Sequence, residues 1–538
     1  MRSVRLPMWT CAFCVAAAAA GRAQGRGGAV WTTSHNDAQR TSSIRTDPRI
    51  SVAALSKPGF QLLWTRQLEP HALTQPVFST PGFITYKGFK ALAYIGGGSD
   101  NVYAVDYDLN RMFWTARLST ASGAAGTAEC PGGLTSITQN TPLTSPPPGA
   151  GRGGRGAQPA PAPGTPGAPP APGAQPGAAR GAPGAGPGGQ AGPGGPGRGG
   201  GGGGRGANPV YAVSSGGMLH FLNPQTGADL TSPVKLLPAA NANVVGTIVV
   251  SSVIYAATAG DCGGVPNGVY AMDITPAPLP DPPANVGPMP PAPPVAPAST
   301  TVRRWPTRGG SVAGTAGPAL GPDGTVYAAT TDGDLVALDG KTLQIKAGFT
   351  SGGSGFTSSP IVFTYKGKDL IAAANADGRI YLLDSSSLGG ADHRSPLAVS
   401  SPAGGVIGGL ATYEDPSGTR WIVAASTSRV SAYKVNDQNG RIALEPAWAQ
   451  SWPQTSPDVV LNATPAIMNG VVFAISGATG RSGPVLYAID LADARVLWDS
   501  GTSIASSVRG AGPAANDSQI YVVTTDGTLY TFGFQVER

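Results

Sequence analysis

Residues 321–339 read GPDGTVYAATTDGDLVALD. From Thr325 to Thr330 the chain alternates small and bulky β-formers. Asp332 and Gly333 supply a turn that needs positive φ, and Leu335 to Leu338 runs back apolar to Asp339, which is the signature of a two-residue β-hairpin. Related pieces recur as YAVD at 103–106, YAMD at 270–273, YLLD at 381–384, YAID at 487–490 and a last hairpin, IYVVTTDGTLYTFGF, ending at Phe534. A unit repeated along a chain is an architecture repeated in space.

A strand carrying tryptophan follows several of these hairpins, at Trp114, Trp305, Trp448 and Trp498. No such strand follows Phe534, whereas FQLLWTRQL at 60–68 has the same character and precedes the first hairpin. Letting 60–68 serve as the outer strand of the last sheet closes a ring and removes its open edge. Hairpin ends at Asp106, Asn223, Asp273, Asp339, Asp384, near Val435, Asp490 and Phe534 count eight units. The expected fold is all-β: a single eight-bladed β-propeller of four-stranded antiparallel blades closed by an N-terminal strand, with seven blades as the alternative. Prolines at Pro76, Pro318, Pro360, Pro465 and Pro513 fall in the first strand of their units. A central strand excludes proline, so these strands belong at the edge facing the channel.

Residues 1–23 carry Arg2 and Arg5, an apolar run from Leu6 to Ala20 and small residues up to Ala23, the pattern of a secretory signal peptide. Residues 24–538 form the propeller, interrupted by a Gly/Pro-rich insert at 145–207 and a Pro-rich insert at 275–301. Both inserts read as disordered, because neither can bury enough apolar surface to fold. The first falls between strands one and two of blade two and the second between strands three and four of blade three, so both should leave one face of the disc. The formal charge of +6 rests on Arg2, Arg5 and Arg22 in the signal and on Arg152, Arg155, Arg180, Arg198 and Arg205 in the first insert. The remaining sequence is nearly neutral, which excludes a basic nucleic-acid groove. No later apolar run is long enough to span a bilayer.

Cys130 and Cys262 are the cysteines outside the signal. Export favours a disulfide between them, two free thiols being the alternative. Both lie in loops of the face opposite the inserts. The repeated aspartates stand where a carboxylate can accept backbone N–H groups and open the turn into the fourth strand. The tryptophans stand where adjacent blades pack.

Trp31, Asn36, Asp37, Arg40, Ile50 and Trp64, together with the DGxLxALD blade pattern and the tryptophan strands, resemble the quinoprotein alcohol dehydrogenase-like superfamily of pyrroloquinoline quinone (PQQ) repeat propellers. The resemblance spans about residues 30 to 538 apart from the inserts. It implies an eight-bladed ring and, in members that oxidise alcohols, PQQ with calcium, an aspartate base, carboxylate and amide metal ligands, an arginine on the quinone and a disulfide between adjacent cysteines. Here no Cys-Cys pair exists. The first strands offer Gln139, Asn140, Thr247, Thr315, Thr357, Asn462 and Arg509, with no carboxylate among them. Glu129, Asp261 and His35 are loop residues able to contribute. Arg509, Asn462, Asn140 and Gln139 are therefore the cofactor-binding candidates if PQQ is bound; the catalytic residues are unassigned and no metal ligand is named. Two functions follow as expectations. One is a monomeric exported protein, periplasmic or extracellular, that binds a protein or small ligand through the cysteine-bearing face and channel mouth. The other is a divergent PQQ-dependent alcohol dehydrogenase.

Overall fold

The computed structural model describes residues 30–70, 74–79, 83–85, 87–119, 127, 129–143, 208–277, 296–451, 463–477, 483–508 and 512–535. Residues 149–207, and residues 1–29 with the expected signal peptide, lie outside the described residues.

Eight four-stranded antiparallel sheets follow one another around a ring. The opening hairpin sits in blade four, whose strands are Ala319–Leu320, Val326–Ala329, Asp334–Leu338 and Ile345–Thr350. The first strands are Val77–Phe78, Ile137–Gln139, Asn243–Val250, Ala319–Leu320, Ile361–Tyr365, Ile407–Glu414, Ala466–Met468 and Ala514–Asn516. First strands of blades one, two and three touch in turn, as do those of blades four to eight, which makes them the inner wall. A parallel bridge between Asn140 and Val249 fixes the common direction of blades two and three. Connections from first to second and from third to fourth strand therefore leave one face, called here the lower face. The remaining connections leave the upper face.

Phe60–Gln67 pairs antiparallel with Thr528–Phe534, from Phe60 opposite Phe534 to Gln67 opposite Thr528, and so closes the ring as the fourth strand of blade eight. The seven-blade alternative falls. Blade seven gains a fifth, parallel strand from Ser43–Ile44 on its inner edge. Each of the five prolines immediately precedes an inner strand, rather than lying within it. A proline there removes a donor where the ladder has not yet begun.

The aspartates are turn residues. Asp339 Oδ1 accepts from the N–H groups of Lys341 and Thr342, Asp384 from Ser386, Asp490 from Ala492, Asp273 from Thr275, and Asn223 plays the same part for Gln225. These backbone bonds hold the Asp339 carboxyl below its ordinary range. The apolar core is divided into clusters that join blade to blade, such as Tyr327, Leu335, Phe349, Val362, Ile371 and Leu383 between blades four and five. Tryptophan Nε1 groups lock neighbouring blades together: Trp114 donates to the Pro224 carbonyl at 3.0 Å and Trp448 to the Leu491 carbonyl at 2.7 Å. Replacing Trp114 with phenylalanine keeps the ring packing and removes one of two donors to the Pro224 carbonyl, which also accepts from Tyr94 OH at 3.2 Å. The expected loss is about 0.5–1.5 kcal/mol, read as a lower urea midpoint at unchanged slope.

The Pro-rich insert begins later than its composition suggests. Ala277 donates to the Ala296 carbonyl and Ala298 to that of Thr275, and Pro276 bridges Pro297, so its two ends form an antiparallel stem. This stem springs from the connection between strands three and four of blade three. Leu143 and Asn208, the described residues that flank the first insert, lie on the connection between strands one and two of blade two, which is also at the lower face. Residues 278–295 and 144–207 lie outside the described residues.

Candidate functional site

The axis of the ring is the natural place for a site, because all eight inner strands converge on it. That place is occupied at the lower end by the chain's own residues 31–44. Phe78 N–H of blade one donates to the Trp31 carbonyl, Gln139 of blade two to Thr32, Leu320 of blade four to Ala38, Val362 of blade five to Gln39, Thr412 of blade six to Thr41, and Ile467 of blade seven to Ser42. Blade three takes part through Thr33 Oγ1, which donates to the Thr247 carbonyl at 2.8 Å. Just beyond, Asp47 accepts from the N–H and Oγ of Ser518 in blade eight. The segment thus visits the blades in order, one after another. Phe78, Gln139 and Leu320 are each the last residue of their inner strand, which puts the thread near the lower face. It is a plug.

Its side chains are polar, and nearly all are buried, among them Thr33, Ser34, His35, Asn36, Asp37, Gln39, Arg40 and Ser42. Burial of such groups is tolerable only with partners. Arg40, with no exposed surface, donates Nε to the Pro318 carbonyl and Nη1 to Thr33 Oγ1 and the Ser34 carbonyl, at 2.7 to 2.9 Å. Ser42 Oγ donates to the Pro465 carbonyl. The carbonyls of prolines that open inner strands therefore serve the plug. Arg40 Nη2, Asn36 Oδ1 and, on the blade-seven wall, Thr464 Oγ1 are buried without a partner. His35 sits on the upper side of the plug. Its Nε2 lies 3.2 Å from Thr315 Oγ1, and its backbone N–H donates to Gln75 Oε1. Burial first, and the Arg40 charge second, push the imidazole down to about 3, so the ring is neutral. Burial also lowers Arg40 to about 9, opposed by Asp37, and leaves it charged at neutral pH.

The sequence candidates divide. Gln139 is buried, with its backbone bonded to Thr32 of the plug. Asn140 follows it and bridges Val249. Both belong to the plugged end. Thr247 takes part in a hydroxyl pair with Ser136 and accepts from Thr33, and Thr357 donates to the Ile407 carbonyl of blade six. Thr315 precedes its inner strand and meets His35. Arg509 and Asn462 lie outside the described residues. Among the described residues no three or more His, Cys, Asp or Glu side chains are placed to hold a metal ion.

A quinone with three carboxylates and a calcium ion needs several oxygen ligands, carboxylates included, and cations for its own acids. The described channel offers amides, hydroxyls, the neutral His35, a single carboxylate, Asp37, already engaged by Thr41, and one arginine whose Nε and Nη1 are committed to the plug. That donor set does not fit PQQ and calcium.

On the upper face, Cys130 and Cys262 are joined in a disulfide with a Cα–Cα separation of 5.4 Å. It ties the loop entering blade two to the second-to-third-strand loop of blade three, and Asn243 Nδ2 holds the same loop by donating to the Glu129 carbonyl. Asp261 and Asn267 exchange backbone-to-side-chain bonds that frame Cys262. Glu69, which follows the closing strand, accepts from Ser99 N–H, Asn101 Nδ2 and Tyr103 OH, pinning that strand to blade one.

The plug was the feature that sequence reasoning missed. His35, Asn36, Asp37 and Arg40 were singled out, but a run such as TTSHNDAQRTSS reads as an exposed loop. Four non-glycine residues within it, His35, Asn36, Arg40 and Ser42, have left-handed backbones, which only an enclosing structure would enforce.

Residues 298–534 match the family model described as outer membrane protein assembly factor BamB. Solved structures with the same fold include quinohemoprotein alcohol dehydrogenase from Comamonas testosteroni, at 13% identity and a TM-score of 0.53, covering 95% of this chain and 81% of that one. A europium-containing methanol dehydrogenase matches at 12% identity and a TM-score of 0.53, covering 95% and 99%. A computationally designed protein, Ika8, matches at 12% and 0.50, covering 88% and 100%. At these identities the likeness is one of fold. No curated protein matches the sequence.

Proposed function

Because this chain is a PQQ-like β-propeller repeat protein, whose fold serves both catalysis and assembly, we propose that it is an exported binding or scaffold protein acting through its upper face and channel mouth. The observation that carries this reading is the plug: residues 31–44 fill the lower end of the channel, so a ligand reaches the axis from the side that bears the Cys130–Cys262 bridge. Catalysis needs converging acid, base or metal groups. The described channel supplies buried hydroxyls, amides and carbonyls, and its ionisable groups His35, Asp37 and Arg40 are enclosed within the plug, which suits recognition. A disulfide accords with export, as does the N-terminal signal pattern. The partner is a protein segment or a small polar ligand able to meet these groups.

The test is a calorimetric titration of the full chain with PQQ in the presence of calcium, followed by dye reduction with simple alcohols. The expected result is no binding heat at high micromolar PQQ and no reduction. Binding with alcohol-dependent reduction overturns the scaffold reading. If Arg509→Ala and Asn462→Ala then abolish that binding, the cofactor site lies at those residues.

A further inference from the structure

The plug holds an imidazole in a place where a second positive charge has nowhere to go. His35 is buried within a segment whose carbonyls are bound by the inner strands of six blades. The Arg40 guanidinium lies close enough to act on it electrostatically, and Arg40 Nη2 is already a buried donor with no acceptor. The charge that acts on His35 comes from its own segment, Arg40, which Asp37 opposes in turn. Asp37 is engaged with the N–H and Oγ1 of Thr41, while among the described residues the blades bring the neutral Gln75 and Thr315 to the imidazole residue. The backbone of the same segment is strained: His35, Asn36, Arg40 and Ser42 have φ values of 58°, 78°, 58° and 51°. Strain of this kind persists only while the surroundings over-determine it.

We propose that residues 31–44 are an acid-sensitive latch: protonation of His35 sets a second cation beside Arg40 inside the closed plug, drives the segment off the inner strands and opens the lower end of the channel. The proton goes to the imidazole nitrogen on release, and no other group changes its bonding. Release favours protonation because in water the imidazole recovers its ordinary basicity near pH 6.5. The sign follows from the depressed value of about 3 in the docked state. Docking is at full strength above pH 6.5. Below that the released state binds a proton that the docked state does not, and the loss is complete only when pH falls through about 3. The released fraction therefore rises by up to about tenfold for each pH unit in that window.

Hydrogen exchange of the full chain between pH 7 and 4, corrected for the intrinsic chemical rate, tests this. The amides of Phe78, Leu320, Val362, Thr412 and Ile467 report the plug, and those of Ala328 and Val336 report an intact blade. The expected result is protection of the plug amides falling by nearly tenfold per pH unit below 6.5 while the blade amides hold. In His35→Gln, which keeps a polar partner for Thr315, that slope should vanish. Plug protection independent of pH, equal slopes in the two proteins, or joint loss of plug and blade protection overturns the latch. If His35→Gln does not fold, titration of the wild-type His35 ring by NMR decides: a neutral ring down to at least pH 4.5 in the docked protein supports the latch, and titration near 6.5 overturns it.

Discussion

Replacing Arg40 with methionine lowers the unfolding free energy by roughly 3–5 kcal/mol, as expected when one partner of a buried charged network is removed and the others are left behind. The side chain has no exposed surface and donates to the Pro318 carbonyl, the Ser34 carbonyl and Thr33 Oγ1. Methionine fills the volume but leaves two carbonyls without these donors and the Asp37 carboxylate without a neighbouring cation. Urea unfolding followed by tryptophan fluorescence gives the measurement. Arg40→Lys keeps the charge on a single flexible ammonium and cannot reach three separated acceptors, so it should recover less than half of the loss. A midpoint for Arg40→Met within about 0.5 kcal/mol of wild type, the range of an inconsequential surface change, would remove the plug from the list of things that hold the ring.

The second large effect belongs to the bridge between Cys130 and Cys262. The two are 132 residues apart in sequence, and the span contains all of blade two and the first insert. Cross-linking so long a loop restricts the unfolded chain, which in the chain-entropy model is worth about 5 kcal/mol at most and commonly 2–4. The double replacement Cys130→Ala with Cys262→Ala should cost about 2–5 kcal/mol. Reducing agent should lower the stability of the wild type by the same amount and leave the double variant unchanged. Equal stability of the oxidised and reduced wild type contradicts the role given to the bridge.

These two effects separate what the sequence could and could not disclose. The hairpin at 321–339, the aspartate turns at Asp339, Asp384 and Asp490, the tryptophan strands and the closing strand at Phe60–Gln67 are visible in the residues. Each rests on a period of two or on turn chemistry within a few neighbours. The pairing of Cys130 with Cys262 is expected from the signal-like N-terminal pattern and from the face their loops share, with two free thiols as the alternative until the loops are seen to meet. The prolines pointed to edge strands, yet not to the use of their carbonyls by Arg40 and Ser42. Gln139 and Asn140 read as polar residues on a channel strand; the structure puts the Gln139 backbone on the plug and bridges Asn140 to Val249 of blade three.

The sequence by itself determined the repeating unit, the all-β architecture and the propeller ring with its closing strand, since these follow from local patterning repeated many times, while the choice of eight blades over seven came from the structure. Only the tertiary structure decided that residues 31–44 fill the lower end of the axis and that His35 is a buried neutral imidazole beside Arg40. The reason is physical. A polar segment becomes a buried one only when distant inner strands supply its hydrogen bonds together, and no residue carries a record of the partners it meets across 278 positions, as Arg40 meets Pro318.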